Sequence, residues 1–159
     1  AWYVPYVQDV VDQGLMQGTN GGFAPEADTS RAMLMTVLYR MAGEPAQSGA
    51  DPKVWYAAAM TWAKELGISD GSSPDGRITR ELIALMLYRY AKAEPKGTDL
   101  SHFSDADKVS VWGQDAMRWA VETGLINGKS GGRLDPQGAA TRAEVAAMLS
   151  RFVKMNENG

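Results

Sequence analysis

A single pattern recurs three times along the chain and limits what it can fold into. Trp2, Trp55 and Trp112 are each followed 12 residues later by a glycine (Gly14, Gly67, Gly124) and 16 residues later by a second one (Gly18, Gly71, Gly128). Each segment then crosses a short polar loop to Ser30-Arg31, Thr79-Arg80 or Thr141-Arg142, and another arginine stands nine residues further on (Arg40, Arg89, Arg151). The tryptophans lie 53 and 57 residues apart. Self-similarity at a fixed period makes each unit one supersecondary piece that cannot bury its apolar face alone and must stack on its neighbours. The expectation is a single module over residues 1–159, with repeats at approximately 1–44, 45–97 and 98–155. Three similar surfaces point to repeated binding rather than to one catalytic centre.

The residue inventory narrows the chemistry. With no cysteine and one histidine, thiol chemistry, disulfides and cysteine-rich zinc sites are excluded. A net charge of -3 lacks the basic excess of a nucleic-acid or anionic-membrane binder. No apolar run approaches the roughly 20 residues that cross a bilayer, and no signal peptide is visible at Ala1. The start without Met, directly at the first tryptophan, reads as a fragment or processed product. His102 adjoins Phe103 without a partner pattern, so it reads as a surface or packing residue and not as part of a triad. Asp70, Asp75, Asp105 and Asp107 form no EF-hand loop, and no metal or cofactor is expected.

Each unit reads as helix, loop, helix, which makes the fold class all-α. The first helix carries apolar residues at helical spacing: Tyr6, Val7 and Val10; Ala59, Met60 and Ala63; Ala116, Met117 and Ala120. Gly14, Gly67 and Gly124 suit the left-handed position that stops a helix, with an apolar residue just after and another four before, the contact of a Schellman cap. Pro5 places the start of the first helix close to it. The second helix begins at the hydroxyl N-caps Ser30, Thr79 and Thr141, and only Thr141 has a Glu at N3, completing a capping box with Glu144. Wide apolar stripes follow, from Met33 to Met41, Leu82 to Tyr90 and Val145 to Val153. Three such helices predict a central bundle.

Arg31, Arg80 and Arg142 stand at N1, where positive charge opposes the helix dipole by roughly 0.3–1 kcal/mol. The choice is made three times. A bound carboxylate would reverse its sign, taking guanidinium bonds together with free helix-end N–H groups. An ion pair to a carboxylate of a neighbouring repeat is the equal alternative, and the residues alone leave both open. The loops Gly18-Thr19-Asn20-Gly21-Gly22, Gly71-Ser72-Ser73-Pro74 and Gly128-Lys129-Ser130-Gly131-Gly132 can present N–H groups to an oxyanion or be ordinary turns. Aligned on the arginines, repeat two has lost four or five loop residues, so its pocket should differ in shape or be absent. Trp2, Trp55 and Trp112 offer flat faces that stack on sugars or pack into cores, the core being the commoner role; Trp62 and Trp119 read as core or inter-repeat residues.

The set Phe103-Ser104-Asp105, Trp112, Gly124-Leu125-Ile126-Asn127-Gly128, Leu134-Asp135-Pro136 and Thr141-Arg142-Ala143-Glu144 resembles the S-layer homology (SLH) motif. Repeat one is similar from Trp2 through Phe23-Ala24-Pro25 to Ser30-Arg31-Ala32-Met33, with Met33 in place of the final Glu. Repeat two has Thr79-Arg80-Glu81-Leu82, with the Glu one place early. The resemblance covers essentially the whole chain. It implies three repeats with pseudo-threefold symmetry about a central helical bundle. It implies a non-catalytic, extracellular module at the bacterial cell surface, cell wall or S-layer. Such modules bind a secondary cell-wall polysaccharide whose terminal sugar carries a pyruvate ketal. It places Arg31, Arg80 and Arg142 in grooves between repeats against the acid, and gives Asp105 to sugar hydroxyls. Trp2, Trp55, Trp112, Gly18, Thr19, Gly71, Ser72, Gly128 and Lys129 would line the grooves.

The opening Phe-x-Asp of repeat one would fall upstream of Ala1, and repeat two has Ala46 and Ser48 there. The grooves are therefore expected to be unequal, with repeat two the weakest. The competing readings are a helical-repeat module that binds acidic peptide segments and a self-assembly element of a surface lattice; an enzyme comes last. The anchor reading predicts that Arg31→Ala and Arg142→Ala weaken wall binding while leaving thermal stability nearly intact.

Overall fold

Gly14, Gly67 and Gly124 adopt φ of 72°, 74° and 81°, and the helix before each one ends there. The computed structural model describes residues 1–18, 22–129 and 131–157. Among them are six helices: α1 (Val4–Asp12), α2 (Arg31–Met41), α3 (Ala57–Glu65), α4 (Arg80–Ala91), α5 (Gln114–Glu122) and α6 (Arg142–Glu157). The described residues contain no β-strand, only isolated bridges, and the all-α class holds. Each repeat contributes one short and one longer helix. At the end of α1 the Leu15 N–H donates to Val10 O and the Gly14 N–H to Val11 O. At the end of α3 the Ile68 N–H donates to Ala63 O and the Gly67 N–H to Lys64 O. Those are the two bonds of the Schellman motif, and a left-handed glycine makes them at no steric cost.

The short helices start after the tryptophans rather than at them. Pro5 lies in the first turn of α1, Trp55 precedes α3, and Trp112 sits in a single 3-10 turn, Val111–Gly113, ahead of α5. The long helices begin at their hydroxyl caps: Ser30 Oγ accepts the Met33 N–H, Thr79 Oγ1 the Leu82 N–H and Thr141 Oγ1 the Glu144 N–H.

Close helix pairing crosses repeats. The first helix of each repeat lies against the second helix of another: α3 on α2, α5 on α4, and α1 on α6. The segments leading into the long helices also bind one another in a ring. The Ile78 N–H donates to Thr29 O at 2.8 Å, the Ala140 N–H to Ile78 O at 2.9 Å and the Thr29 N–H to Ala140 O at 3.1 Å. The apolar stripes meet in one cluster. Trp62 touches the rings of Tyr39 and Tyr90, Trp119 those of Tyr88 and Phe152, and Tyr90 reaches Phe152, so the long helices are joined through aromatic side chains. Trp62 and Trp119 are buried, as expected of core residues.

Candidate ligand-binding grooves

The N-termini of α2, α4 and α6 are not open anion sites. The N–H of Arg31 donates to Gly76 O and that of Ala32 to Pro74 O; Arg80 and Glu81 donate to Gly138 O and Pro136 O; Arg142 and Ala143 donate to Ala27 O and Pro25 O. With the third N–H taken by the cap hydroxyl, the helix-end donors expected to share a carboxylate are already satisfied by the loop of an adjoining repeat. The glycine-rich loops also turn several donors inward. The Gly71 N–H bonds Ser69 Oγ, the Ser72 N–H bonds Asp70 Oδ1 and the Lys129 N–H bonds Arg133 O, so these are turns and not oxyanion cradles.

The arginine side chains, by contrast, leave their own repeat and reach into clefts. Arg80 and Arg151 share a cleft of about 390 Å³ with Trp2. Arg142 and Arg40 share one of about 290 Å³ with Trp55. Arg31 and Arg89 share one of about 280 Å³ with Trp112. Each groove thus takes its motif arginine from one repeat, a second arginine from the next and its tryptophan from the third. Trp2, Trp55 and Trp112 are 59%, 65% and 52% exposed, which overturns the commoner expectation of core packing for them. A ring that precedes its helix has no apolar stripe to join, and it stands over the groove instead.

The second arginines were visible in the repeat but had no assigned place in the site. Each donates Nη1 to a carbonyl just past the first helix of its own repeat: Arg40 to Leu15 O at 3.1 Å, Arg89 to Ile68 O at 3.3 Å and Arg151 to Leu125 O at 3.4 Å. Spacing alone could not show that this tie turns them into the same groove as another repeat's arginine.

The three motif arginines have different surroundings. Arg80 is buried and fully engaged: Nε donates to Leu134 O at 2.7 Å, Nη2 to Asn127 O at 3.1 Å and Nη1 to Glu144 Oε2 at 2.9 Å. Here the ion pair between repeats is the reading that holds. Glu144 also accepts the Thr141 hydroxyl, so the capping-box glutamate serves a neighbour's arginine as well as its own helix. Arg142 is equally buried, with Nε on Phe23 O at 2.7 Å, Nη2 on Gln17 O at 2.6 Å and its guanidinium 4.5 Å from the centre of the Phe23 ring. Its remaining neighbour is Met33 Sδ at 3.7 Å. Burial pulls its pKa below the usual arginine value. Arg31 makes one long bond, Nη1 to Ser72 Oγ at 3.3 Å, and its Nε is buried without a partner among the described residues. Leu134 O and Phe23 O take the corresponding Nε atoms of Arg80 and Arg142; the shortened loop of repeat two supplies no such carbonyl.

The remaining predicted residues divide. Gly18 lines the Arg142 groove, and Gly128 and Lys129 the Arg80 groove, where Lys129 Nζ pairs with Asp135 at 2.6 Å. Gly71 does not line a groove; Ser72 reaches Arg31 and donates its hydroxyl to Asp70, whose pKa is lowered by that bond first and by the Ser72 N–H next. Thr19 lies outside the described residues. Asp105 lines none of the three grooves. Its oxygens accept the N–H groups of Leu134 and Asp135 at 2.8 and 2.9 Å, which makes it a loop-holding residue in this structure. Glu81, displaced by one place in repeat two, turns away from the groove as well. It accepts the N–H and the hydroxyl of Ser110, two residues before Trp112.

Residues 1–32 and 102–146 match the family model of the S-layer homology domain. The S-layer protein of Bacillus thuringiensis subsp. finitimus is 25% identical over 96% of this chain and 20% of its own length. Those two stretches are S-layer homology domain sequence, and the chain is similar to S-layer proteins over nearly its whole length. An endoglucanase of Bacillus sp. (strain KSM-635) is similar at 29% identity over 96% of this chain and 18% of the enzyme. The undecaheme cytochrome from the S-layer of Carboxydothermus ferrireducens aligns over 95% of this chain and 28% of its own at 24% identity, with a TM-score of 0.45. The chain spans about a fifth of the length of the two curated relatives. As an SLH module it is a non-catalytic cell-wall anchor located at the cell surface. No described helix is long and apolar enough to cross a membrane.

Proposed function

We propose that this SLH module holds its protein to the wall by binding an acidic secondary cell-wall polysaccharide. A carboxylate such as a pyruvate ketal on a terminal sugar meets a motif arginine in a groove between repeats. The observation that carries the reading is the recurrence, three times, of an exposed indole beside two guanidinium groups. An indole face stacks on the apolar face of a sugar ring. A planar guanidinium fork suits a carboxylate better than an ammonium does. Binding in more than one groove to a repetitive polymer adds avidity without new contacts. Asp105 acts in this reading by shaping the loop beside Lys129 and not by touching sugar.

The test is co-sedimentation with protein-free bacterial walls that carry or lack the pyruvylated polysaccharide. Retention by the pyruvylated walls alone is the expected result. Equal retention by both would leave a wall anchor and remove the carboxylate–arginine contact. Retention by neither would sink the reading.

A further inference from the structure

The second glycine of each repeat follows Gln17 in repeat one, Asp70 in repeat two and Asn127 in repeat three. An Asn-Gly pair can close on itself: the glycine nitrogen attacks the side-chain amide carbon, and no Cβ on the glycine stands in the way. Asn127 and Gly128 are both exposed. Neither the Asn127 side-chain amide nor the Gly128 N–H is bonded to another group among the described residues. The Asn127 main-chain oxygen, by contrast, accepts Nη2 of Arg80 at 3.1 Å. Arg80 is 5% exposed and is fixed by its bonds to Leu134 O and Glu144, so its guanidinium is aimed at that oxygen before any reaction begins.

We propose that Asn127 is a self-modification site, at which Arg80 promotes loss of ammonia from the side chain and rearrangement of the Asn127–Gly128 link to isoaspartate. Deprotonation of the Gly128 nitrogen, with hydroxide taking the proton, puts negative charge on the Asn127 main-chain oxygen, because the two atoms share the amide resonance. A guanidinium bonded to that oxygen stabilises the anion. The nitrogen then bonds to Cγ of Asn127 and the Cγ–Nδ2 bond breaks, the leaving nitrogen taking a proton from water and departing as ammonia. The product is a five-membered succinimide. Water next adds to the main-chain carbonyl carbon of Asn127, whose oxygen faces Arg80, and the bond from that carbon to the Gly128 nitrogen breaks as the nitrogen regains a proton. The chain now runs through Cγ, and the former carbonyl has become a carboxylate. A neutral partner of Arg80 thus turns into an anionic one, which favours this product over ordinary aspartate. The net change is the exchange of ammonia for water and a gain of negative charge in the cleft beside Trp2. The reaction needs no ligand and stands apart from glycan binding.

The other two repeats each lack a requirement. Arg142 Nη2 holds Gln17 O at 2.6 Å, the equivalent contact, but the glutamine side chain is a methylene longer and would have to close a six-membered ring. Asp70 has the right length but carries a carboxylate, a poor electrophile. Its Oδ1 accepts the N–H and hydroxyl of Ser72, and the Gly71 N–H is bonded to Ser69 Oγ. Asn20-Gly21 and Asn158-Gly159 lie outside the described residues.

The test incubates the full chain in one mildly alkaline buffer, folded and, in parallel, unfolded in urea. Tryptic peptides are followed by mass spectrometry, and isoaspartate is read by methyl transfer from a protein isoaspartyl methyltransferase. A fixed donor at a developing oxyanion is worth more than tenfold in a dry site, and this loop meets water. Asn127 is therefore expected to react about tenfold faster folded than unfolded, with a larger share of isoaspartate. Gln17→Asn supplies the shorter side chain beside Arg142 and leaves every bond of Arg80 in place, so it is expected to gain a second reactive site. Asn127 that reacts more slowly folded than unfolded, or gives no larger share of isoaspartate, would overturn the inference. A folded Gln17→Asn chain that stays unmodified at residue 17 would overturn it as well.

Discussion

Arg31 and Arg142 occupy the same place in their repeats and differ in what depends on them. Removing Arg142 breaks its part-buried, charge-assisted bonds to the carbonyls of Phe23 and Gln17, which costs roughly 1–3 kcal/mol. Removing Arg31 breaks one bond of 3.3 Å and relieves a buried unpaired Nε. Chemical denaturation should therefore show Arg142→Ala clearly destabilised and Arg31→Ala within about 0.5 kcal/mol of wild type. On these grounds nearly intact thermal stability is predicted for Arg31→Ala and a loss of stability for Arg142→Ala. A binding loss in Arg142→Ala must therefore be read beside its unfolding curve, whereas a loss in Arg31→Ala reports on binding directly. The positions of these arginines were legible from sequence. Their partners were not, since a guanidinium reaches groups whose place depends on the other repeats.

At the scale of the element, local rules account for most of what the structure shows. A glycine with φ of 74° at position 67 leaves open space around an added Cβ, so Gly67→Ala suffers only the left-handed backbone penalty. That penalty is about 1–2 kcal/mol and should appear as a lowered denaturation midpoint with an unchanged slope. Gly128 matters for a different reason. A Cβ there would come within 2.9 Å of the Phe103 ring, and Phe103 is buried, so the ring or the loop must shift. Both glycines belong to the repeat, and the sequence gives no sign that they do different work. Thr79→Ala removes the acceptor of the Leu82 N–H and should cost about 1 kcal/mol in the same assay.

Over the whole molecule, the repeats exchange partners. Because α5 lies on α4 and α1 on α6, no repeat keeps its two helices as a close pair. A fragment of residues 98–157 retains α5 without α4 and α6 without α1. It should show no cooperative thermal transition by circular dichroism; a sharp transition would mean that repeat three is self-sufficient. Acid should loosen the α1–α6 junction and, within repeat three, the loop that Asp105 holds. The pKa of Asp9 is lowered by the Ser150 hydroxyl first, against an opposing push from burial, and then by the Gln13 amide. For Asp105 burial is the largest influence and raises the pKa, but the N–H groups of Leu134, Asp135 and Asp105 itself, with the Arg133 charge, leave it lowered. A folded-state pKa below the ordinary 3.8 means that the stabilisation is complete above that value and is lost as the pH falls through the folded value. The unfolding temperature should drop as the pH falls below about 4, and Asp9→Ala should show a shallower drop because its share is already gone.

The sequence by itself determined the number of repeats, the two helices in each, their caps and the burial of Trp62 and Trp119. Those features depend on residues within a few positions of one another, where helical period and capping chemistry act. Only the tertiary structure decided that each groove is assembled from all three repeats, that Trp2, Trp55 and Trp112 stand exposed, and that the helix-end donors are closed by adjoining loops. It also decided the charge of each groove. The partners concerned are 64 residues apart for Arg80 with Glu144 and 109 apart for Arg142 with Met33, and chain folding alone brings such residues within reach.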